Sequence, residues 1–468
     1  MRRNTATDMY LMVDLYEKGQ LSKEEFHVMA APLWDGLPDG TRHIWEQRIA
    51  AIEAPVGLDS AVPIPDHLSQ LDVTRAVRKA RFADGVRFSN QHGWFIWTPD
   101  RHTWVPDARG YRVRTEIQRA LGTMVDAATN AKVRNTLGST AMRNAVADMI
   151  STDEGVYMED GVDPWDKIPH LLAAPNGVID LRTGKLTETD PEQYLTKSVT
   201  VPYDPDAECP RWEQFLKEIF PHDPDMPAYL QRLIGYGITG ETREQCFAIF
   251  HGPGANGKSV VLNVLRAFAG PHAATVPFDM FTGDGKNRGG PDAEHLKGAR
   301  LALASETNRS AVLDTAAIKN ATGGEEINCN PKYRDPFSFT PVALILLATN
   351  FKPTIREADN GTWRRIKLIE FSRVFAEHEQ DKGLTGKLME ELPGILAWAV
   401  RGAVEWYAHG LQDPQTVVDA VQSYKDESDQ LSGFYPDIVT AEARQGPQGG
   451  PLSVLSFVQA WPTGQASV

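Results

Sequence analysis

Cysteine, long apolar runs and positive charge are all scarce in this chain of 468 residues. The three cysteines, Cys209, Cys246 and Cys329, lie far apart without CxxC spacing, which argues against a disulfide framework or a zinc site. No apolar run reaches the ~18 residues of a membrane-spanning helix, and the first residues lack the apolar stretch of a signal peptide. We therefore expect a cytoplasmic protein with no membrane partner.

Acidic residues outnumber basic ones, so the formal net charge is −14. This charge argues against a protein whose whole surface binds nucleic acid. It does not exclude a ring or channel that keeps its cations on a small inner surface. The hydrophobic content of 41% and the charged content of 24% are typical of a globular protein.

The apolar pattern divides the chain into five parts. We predict an amphipathic helical region at 1–60, an α+β and helical flank at 68–240, a core of alternating strands and helices at 241–385, a helical segment at 386–435 and a loosely ordered Gly/Pro/Gln-rich tail at 436–468. In the flank, aromatic residues on both sides of a Thr-Pro-Asp turn predict a β-hairpin over 93–107.

Strands and helices alternate in the predicted core. Short apolar runs predict buried strands at 246–250, 300–305, 342–348 and 366–371, with helical patterns between them. This alternation is typical of an α/β fold with a parallel sheet.

A complete phosphate-loop motif, G-x-x-x-x-G-K-[ST], follows the first of these strands. It consists of Gly252, Pro253, Gly254, Ala255, Asn256, Gly257, Lys258 and Ser259. The glycines let backbone N–H groups surround a phosphate, the lysine places a charge against the β- and γ-phosphates, and the serine hydroxyl suits Mg²⁺. A strand before the motif and an apolar helix after it favour an ATP site over a plain glycine turn.

Polar side chains end two of the other strands. Glu306 follows the strand of LALASETN, where an acid would hold Mg²⁺ and activate water. Its neighbour is Ser305 instead of a second acid. Either Glu306 serves both metal and water, or Ser259 and the phosphates hold most of the metal. Asn350 ends the strand of LILLATN and is predicted to orient water or sense the γ-phosphate, although asparagine is also a common turn residue.

Arg364 and Arg365 stand just before the last strand. An arginine can neutralise transition-state charge on a γ-phosphate. Taken alone, the pair would be two surface arginines.

In order and spacing, GPGANGKS, LALASETN, LLATN and NGTWRR resemble a superfamily 3 helicase, and more closely the phage/plasmid primase–helicase family. The resemblance extends over about residues 72–429. It implies a P-loop AAA+-type ATPase core in a homo-oligomeric ring, usually a hexamer, that hydrolyses ATP and moves along single-stranded DNA. Arg364 or Arg365 would act as an arginine finger toward the next subunit.

The resemblance also implies a DNA-contacting hairpin over 322–339. There Lys332, Tyr333 and Arg334 combine two cations with an aromatic ring, which suits phosphate contact and base stacking. Asn330 stands where related sequences often carry a cation.

The first residues are too few for the primase domain that many family members carry, and no convincing pair of metal-binding carboxylates precedes the core. We therefore expect no primer synthesis by this chain and a separate primase or polymerase as a partner. The Gly/Pro/Gln-rich tail stands where many members begin a winged helix. Besides a helicase, the sequence is compatible with an ATPase that loads or remodels a replication or packaging complex, and with a nucleotide-binding assembly factor.

Overall fold

The structure is a computed structural model. It describes residues 9, 12–13, 23–34, 42, 49, 61–107, 109–159, 163–282, 291–306, 311–330, 336–355 and 359–428. The side chains of Lys23, Glu24, Asp100, Pro291, Asp292 and Glu306 are outside this description. The predicted tail at 436–468 and most of the predicted helical region at 1–60 also lie outside the described residues.

Helices occur in the flank and in the core, and they occupy most of the C-terminal part. They are α1 (Lys23–Trp34), α2 (Gln70–Val77), α3 (Tyr111–Ala127), α4 (Ala131–Leu137), α5 (Thr140–Ser151), α6 (Pro210–Ile219), α7 (Met226–Gly237), α8 (Lys258–Ala269), α9 (Thr315–Thr322), α10 (Asn360–Trp363), α11 (Leu384–Glu390), α12 (Leu392–His409) and α13 (Gln415–Ser428).

The strands are short and fall into several sheets. They are β1 (Val86–Ser89), β2 (Gly93–Thr98), β3 (Thr103–Asp107), β4 (Leu171–Ala174), β5 (Gly177–Asp180), β6 (Lys185–Thr187), β7 (Phe247–His251), β8 (Ala273–Thr275), β9 (Leu301–Glu306), β10 (Val312–Leu313), β11 (Ile327–Cys329), β12 (Phe337–Phe339), β13 (Leu344–Thr349), β14 (Thr354–Ile355) and β15 (Ile366–Glu370).

The flank is built on two antiparallel three-stranded sheets, β1–β2–β3 and β4–β5–β6. A 3-10 turn at Pro99–Arg101 joins β2 to β3, and Thr98 pairs with Thr103. The predicted hairpin at 93–107 is therefore confirmed. Helices α2, α3 and α5 share one apolar core with β1 and β2. The flank thus has the predicted mixture of strands and helices.

The main sheet has five parallel strands in the order β15–β7–β13–β9–β8. Four of its strands, β7, β9, β13 and β15, begin and end within two residues of the predicted strands. The edge strand β8 was not predicted, because three small or polar residues carry no periodic signal. Parallel pairing puts the carboxyl ends of all five strands at one edge, and the phosphate-loop motif follows β7 there.

Two helices from distant parts of the sequence meet backbone to backbone beside this sheet. A Cβ on Gly235 of α7 would lie 2.1 Å from the amide nitrogen of Ala403, and one on Gly402 of α12 would lie 2.0 Å from the carbonyl oxygen of Gln231. Only glycine allows this approach. The surrounding apolar core contains residues from α6, α7, the sheet, α8 and α12. It therefore crosses the proposed limits at 240/241 and 385/386, which stay sequence-based divisions.

The C-terminal helices α11, α12 and α13 agree with the predicted helical segment. The last of them lies along β15: the Tyr424 hydroxyl donates to the Pro353 carbonyl, and its ring stands 5.4 Å from that of Trp363. Across the described ranges, no helix has both the length and the apolarity needed to cross a membrane.

Candidate nucleotide site

The phosphate-loop motif forms a tight turn between β7 and α8. Its backbone has positive φ at Gly252 (150°), Ala255 (57°) and Gly257 (91°). A Cβ on Gly252 would lie 2.3 Å from the Phe371 carbonyl oxygen, and one on Gly257 would lie 3.0 Å from the Phe215 ring. Space and backbone conformation therefore both require glycine at 252, whereas at 257 the backbone conformation favours glycine and a Cβ would be in tight contact with Phe215. Helix α8 begins at Lys258, so its N-terminal end points its N–H groups at this loop.

Lys258 lies inside the loop with 6% of its surface exposed. Its ammonium donates to the carbonyl oxygens of Gly252 (2.6 Å) and Pro253 (3.1 Å) and to the side-chain oxygens of Asn256 (3.0 Å) and Asn350 (3.2 Å). All four acceptors are neutral. Burial lowers the pKa of Lys258 to about 8, because no described carboxylate offsets the cost of desolvating the charge.

The loop is held from outside by the chain that follows β15. The Asn256 amide donates to the Phe371 carbonyl at 3.0 Å, and the Phe375 amide donates to the Ala255 carbonyl at 2.8 Å. Asn256 was predicted as part of the motif, but its hydrogen bond to Phe371 was not predicted. No local pattern reveals a contact between residues 115 positions apart.

Asn350 meets Lys258 because of the strand order. Strand β13 lies between β7 and β9, and Thr349 pairs with His251 on one side and with Glu306 on the other. The residue after Thr349 therefore reaches the mouth of the loop. The structure brings Asn350 together with the phosphate loop, and its role in orienting water or sensing a γ-phosphate stays a prediction.

The two predicted metal ligands approach from different elements. Ser259 is exposed in the first turn of α8. Glu306 ends β9, two strands from β7, or about 10 Å across the sheet. Its side chain is not described. Elsewhere in the described ranges no cluster of three or more His, Cys, Asp or Glu side chains could hold a metal.

The adjacent arginines have different environments. Arg365 is 8% exposed and donates to the Thr322 hydroxyl (3.2 Å) and the Gly361 carbonyl (2.5 Å), so it ties α10 to α9. Arg364 is exposed and donates to the Gln245 side chain at 2.5 Å. Both arginines lie at the amino end of β15, whereas the phosphate loop follows the carboxyl end of the neighbouring strand β7. The five-residue length of β7, about 15 Å, therefore separates them from the loop.

The predicted DNA hairpin has its expected base. Strands β11 and β12 pair antiparallel, with Ile327 opposite Phe339 and Cys329 opposite Phe337. Lys332, Tyr333 and Arg334 fall in the intervening segment and lie outside the described residues.

A row of four charged or titratable side chains, His251, Glu370, Lys352 and Glu427, starts next to the loop and was not predicted. Glu370 lies 3.7 Å from the His251 imidazole and 3.7 Å from the Lys352 ammonium, which also lies 3.1 Å from Glu427 of α13. Burial and, secondarily, Lys352 lower the pKa of His251. This row of side chains connects the carboxyl ends of the strands with α13, the last described helix.

Comparisons with known proteins agree with the motifs. Residues 77–221 match the family described as D5 N terminal like, and residues 250–365 match a family of unknown function, DUF5906. The chain is 26% identical over 335 residues to a putative helicase of Acanthamoeba polyphaga mimivirus (67% of this chain, 35% of that protein). It is 29% identical over 265 residues to a putative helicase of Invertebrate iridescent virus 6 (54% and 27%). A putative primase of African swine fever virus is 26% identical over 234 residues (47% and 24%).

The chain is therefore similar to viral primase–helicases over most of its length, and the resemblance read from the motifs is confirmed. It spans only about a third or less of the length of these relatives. Among solved structures, one described as the apo structure of the NrS-1 C terminal region is similar with a TM-score of 0.44 and 12% identity, covering 80% of this chain and 81% of that one.

Proposed function

We propose that this chain is an ATP-driven DNA helicase with a P-loop AAA+-type core. The observation that supports this most strongly is the buried Lys258 ammonium, surrounded by neutral oxygens and touched by Asn350. A buried cation without a carboxylate partner is costly. Phosphate oxygens would supply the negative charge that this cation lacks, which fits a nucleotide triphosphate.

Each motif residue has a separate task in this proposal. The loop N–H groups and Lys258 hold the phosphates, and Asn350 orients the attacking water or reads the γ-phosphate. Ser259 and Glu306 would hold Mg²⁺, which would supply positive charge to the phosphate oxygens. One or two protein ligands are sufficient, because Mg²⁺ keeps several waters and binds phosphates directly. Glu306 would also accept a proton from the attacking water.

The position of Arg364 supports action between subunits. It is exposed at the edge of the sheet opposite Lys258, so it cannot reach the phosphates of its own subunit. In a ring of identical subunits, usually a hexamer in this family, the same arginine would face the loop of the next subunit. We propose Arg364 as the arginine finger and a structural role for Arg365.

Single-stranded DNA is the proposed substrate track, contacted by the hairpin that β11 and β12 begin. A separate primase or polymerase is the proposed partner, and primer synthesis by this chain is not part of the proposal. We place the protein in the cytoplasm of the cell, the bacterial host if a phage encodes it.

ATP hydrolysis by the purified chain, with and without single-stranded DNA, tests the proposal. We expect DNA to stimulate hydrolysis in the unmodified chain and Lys258→Ala to abolish it. Glu306→Gln should keep ATP binding and trap the nucleotide, since the phosphate grip remains while the acid that activates water is lost. Lys382→Ala, at an exposed lysine outside the site, is the matched control.

A strand-displacement assay then separates the alternatives. DNA-stimulated hydrolysis with unwinding supports the helicase. Hydrolysis that DNA does not change points to a loader or remodeller. ATP binding without hydrolysis points to a nucleotide-binding assembly factor, for which Ser305 in place of a second acid would be the reason.

A further inference from the structure

A lysine and a phenylalanine meet at the base of the β11–β12 hairpin. The Lys297 ammonium lies 4.5 Å from the centre of the Phe337 ring. Lys297 is exposed and stands four residues before β9, while Phe337 is half-buried at the start of β12. The pair therefore joins the turn before the Glu306 strand to the hairpin.

Within the described ranges, the contact recorded for the Lys297 ammonium is this ring. Among the described residues, no carboxylate forms an ion pair with it, although most other lysines near the core have one. An exposed cation–π contact contributes only about 0.5–1 kcal/mol. A phosphate can therefore compete for the ammonium, and its departure would uncover one face of the Phe337 ring.

Neighbouring groups extend this spot in two directions. The Phe339 ring lies 5.9 Å from that of Phe337, along β12. On the other side, the charge of Lys297 contributes, after burial, to lowering the pKa of His92 in the turn between β1 and β2. The pair thus lies between the hairpin and the flank. The nearby acids are Glu294, in the same turn, and Asp163, which faces His92.

We propose that Lys297 and Phe337 form a second contact for single-stranded nucleic acid, at the base of the hairpin. The ammonium would move from the ring to a backbone phosphate, and a base would stack on the ring face that it leaves. Both groups are needed, because a phosphate contact and a stacked base belong to one nucleotide or to neighbours. This inference rests on the proposed function, which makes single-stranded DNA the track.

Binding of labelled oligonucleotides to the full chain tests the inference. We would measure Kd by fluorescence anisotropy at several salt concentrations, using a dT oligonucleotide and an abasic oligonucleotide of the same length. Lys297→Ala should weaken binding of both and reduce the salt slope by about 0.7, the loss of one phosphate contact to a single strand. Phe337→Leu should weaken dT binding about tenfold, leave the salt slope unchanged and leave abasic binding unchanged.

The controls separate the inference from the proposed function and from misfolding. Lys382→Ala should bind as the unmodified chain does, and thermal unfolding should be alike in all variants. If the unmodified chain binds dT but Lys297→Ala and Phe337→Leu bind equally well, the inference is wrong and the helicase proposal stands. If Phe337→Leu loses dT and abasic binding alike, the ring supports the hairpin and does not stack, which also overturns the inference. If the unmodified chain binds neither oligonucleotide, both proposals fail.

Discussion

Cations at the carboxyl ends and at the amino ends of the parallel strands have different environments. At the carboxyl edge, Lys258 is buried and donates to four oxygens of its own chain. At the amino edge, Arg364 and Lys297 are exposed, each with one weak or neutral contact. A cation enclosed by its own loop is suited to a small ligand that enters the loop. Exposed cations are suited to another macromolecule, which in our two proposals is a neighbouring subunit for Arg364 and a DNA strand for Lys297.

Among the variants that test this comparison, Arg364→Ala is expected to have the largest effect on ATP turnover. We expect ATP turnover to fall about 10³-fold, the usual effect of losing an arginine finger, with no change in thermal stability because the side chain is exposed. Mixing Arg364→Ala subunits with Lys258→Ala subunits should restore part of the activity, since some interfaces then pair an intact Lys258 with an intact Arg364. Absence of any recovery in the mixture would argue against action between subunits.

Arg365→Ala is the matched variant for that experiment. Its buried guanidinium bonds Thr322 and Gly361, so its loss should lower the free energy of unfolding by about 1–3 kcal/mol, measured in urea. Equal effects of the two arginine variants on turnover and stability would erase the distinction between them.

Asn350→Ala should lower kcat about 10²-fold with little change in KM, because a neutral group near the γ-phosphate acts mainly in the transition state. Steady-state hydrolysis at saturating DNA measures this. Asn350→Asp should differ: a carboxylate 3 Å or so from Lys258 would pair with it and repel phosphate, so nucleotide binding itself should fail. Identical behaviour of the two variants would mean that Asn350 only closes the turn.

Two glycines of the phosphate loop test how closely the loop packs against its neighbours. Gly257→Ala should lower the free energy of unfolding by about 1–3 kcal/mol, because φ is 91° and the new Cβ would lie 3.0 Å from the Phe215 ring. Gly254→Ala should change it by no more than about 0.5 kcal/mol, since a Cβ there meets nothing within 4 Å. Urea denaturation of both variants is the measurement, and a tolerated Gly257→Ala would contradict the described packing.

Proton uptake on nucleotide binding is the smallest expected effect. The pKa of Lys258 is about 8 in the unbound protein, below its ordinary value of 10.5, and phosphates would raise it. At pH 8 binding should therefore take up about half a proton per site, and Lys258→Ala should abolish the uptake. Calorimetry in buffers of different ionisation enthalpy measures it. Without nucleotide, the unfolded chain holds more protons between pH 8 and 10.5, so Lys258 makes stability rise with pH in that window.

The sequence predicted what local patterns can carry. Apolar runs located β7, β9, β13 and β15, and the motif located Lys258 together with the glycines. The sequence did not separate Arg364 from Arg365, because the two are identical and adjacent, and only packing against α9 buries one of them. It also did not find the Phe371 carbonyl that braces Asn256 or the meeting of Lys297 with Phe337, since both contacts join distant segments.

The glycine contact between α7 and α12 has a consequence for fragments of this chain. The whole parallel sheet lies between these helices in the sequence, so the motifs are complete before α12 has been synthesised. Contacts between distant segments form late, because the intervening chain must first be ordered. A fragment of this chain that stops after β15 would thus keep the phosphate-loop motif and the polar residues that end the strands, while Gly235 would lack the helix that packs against it.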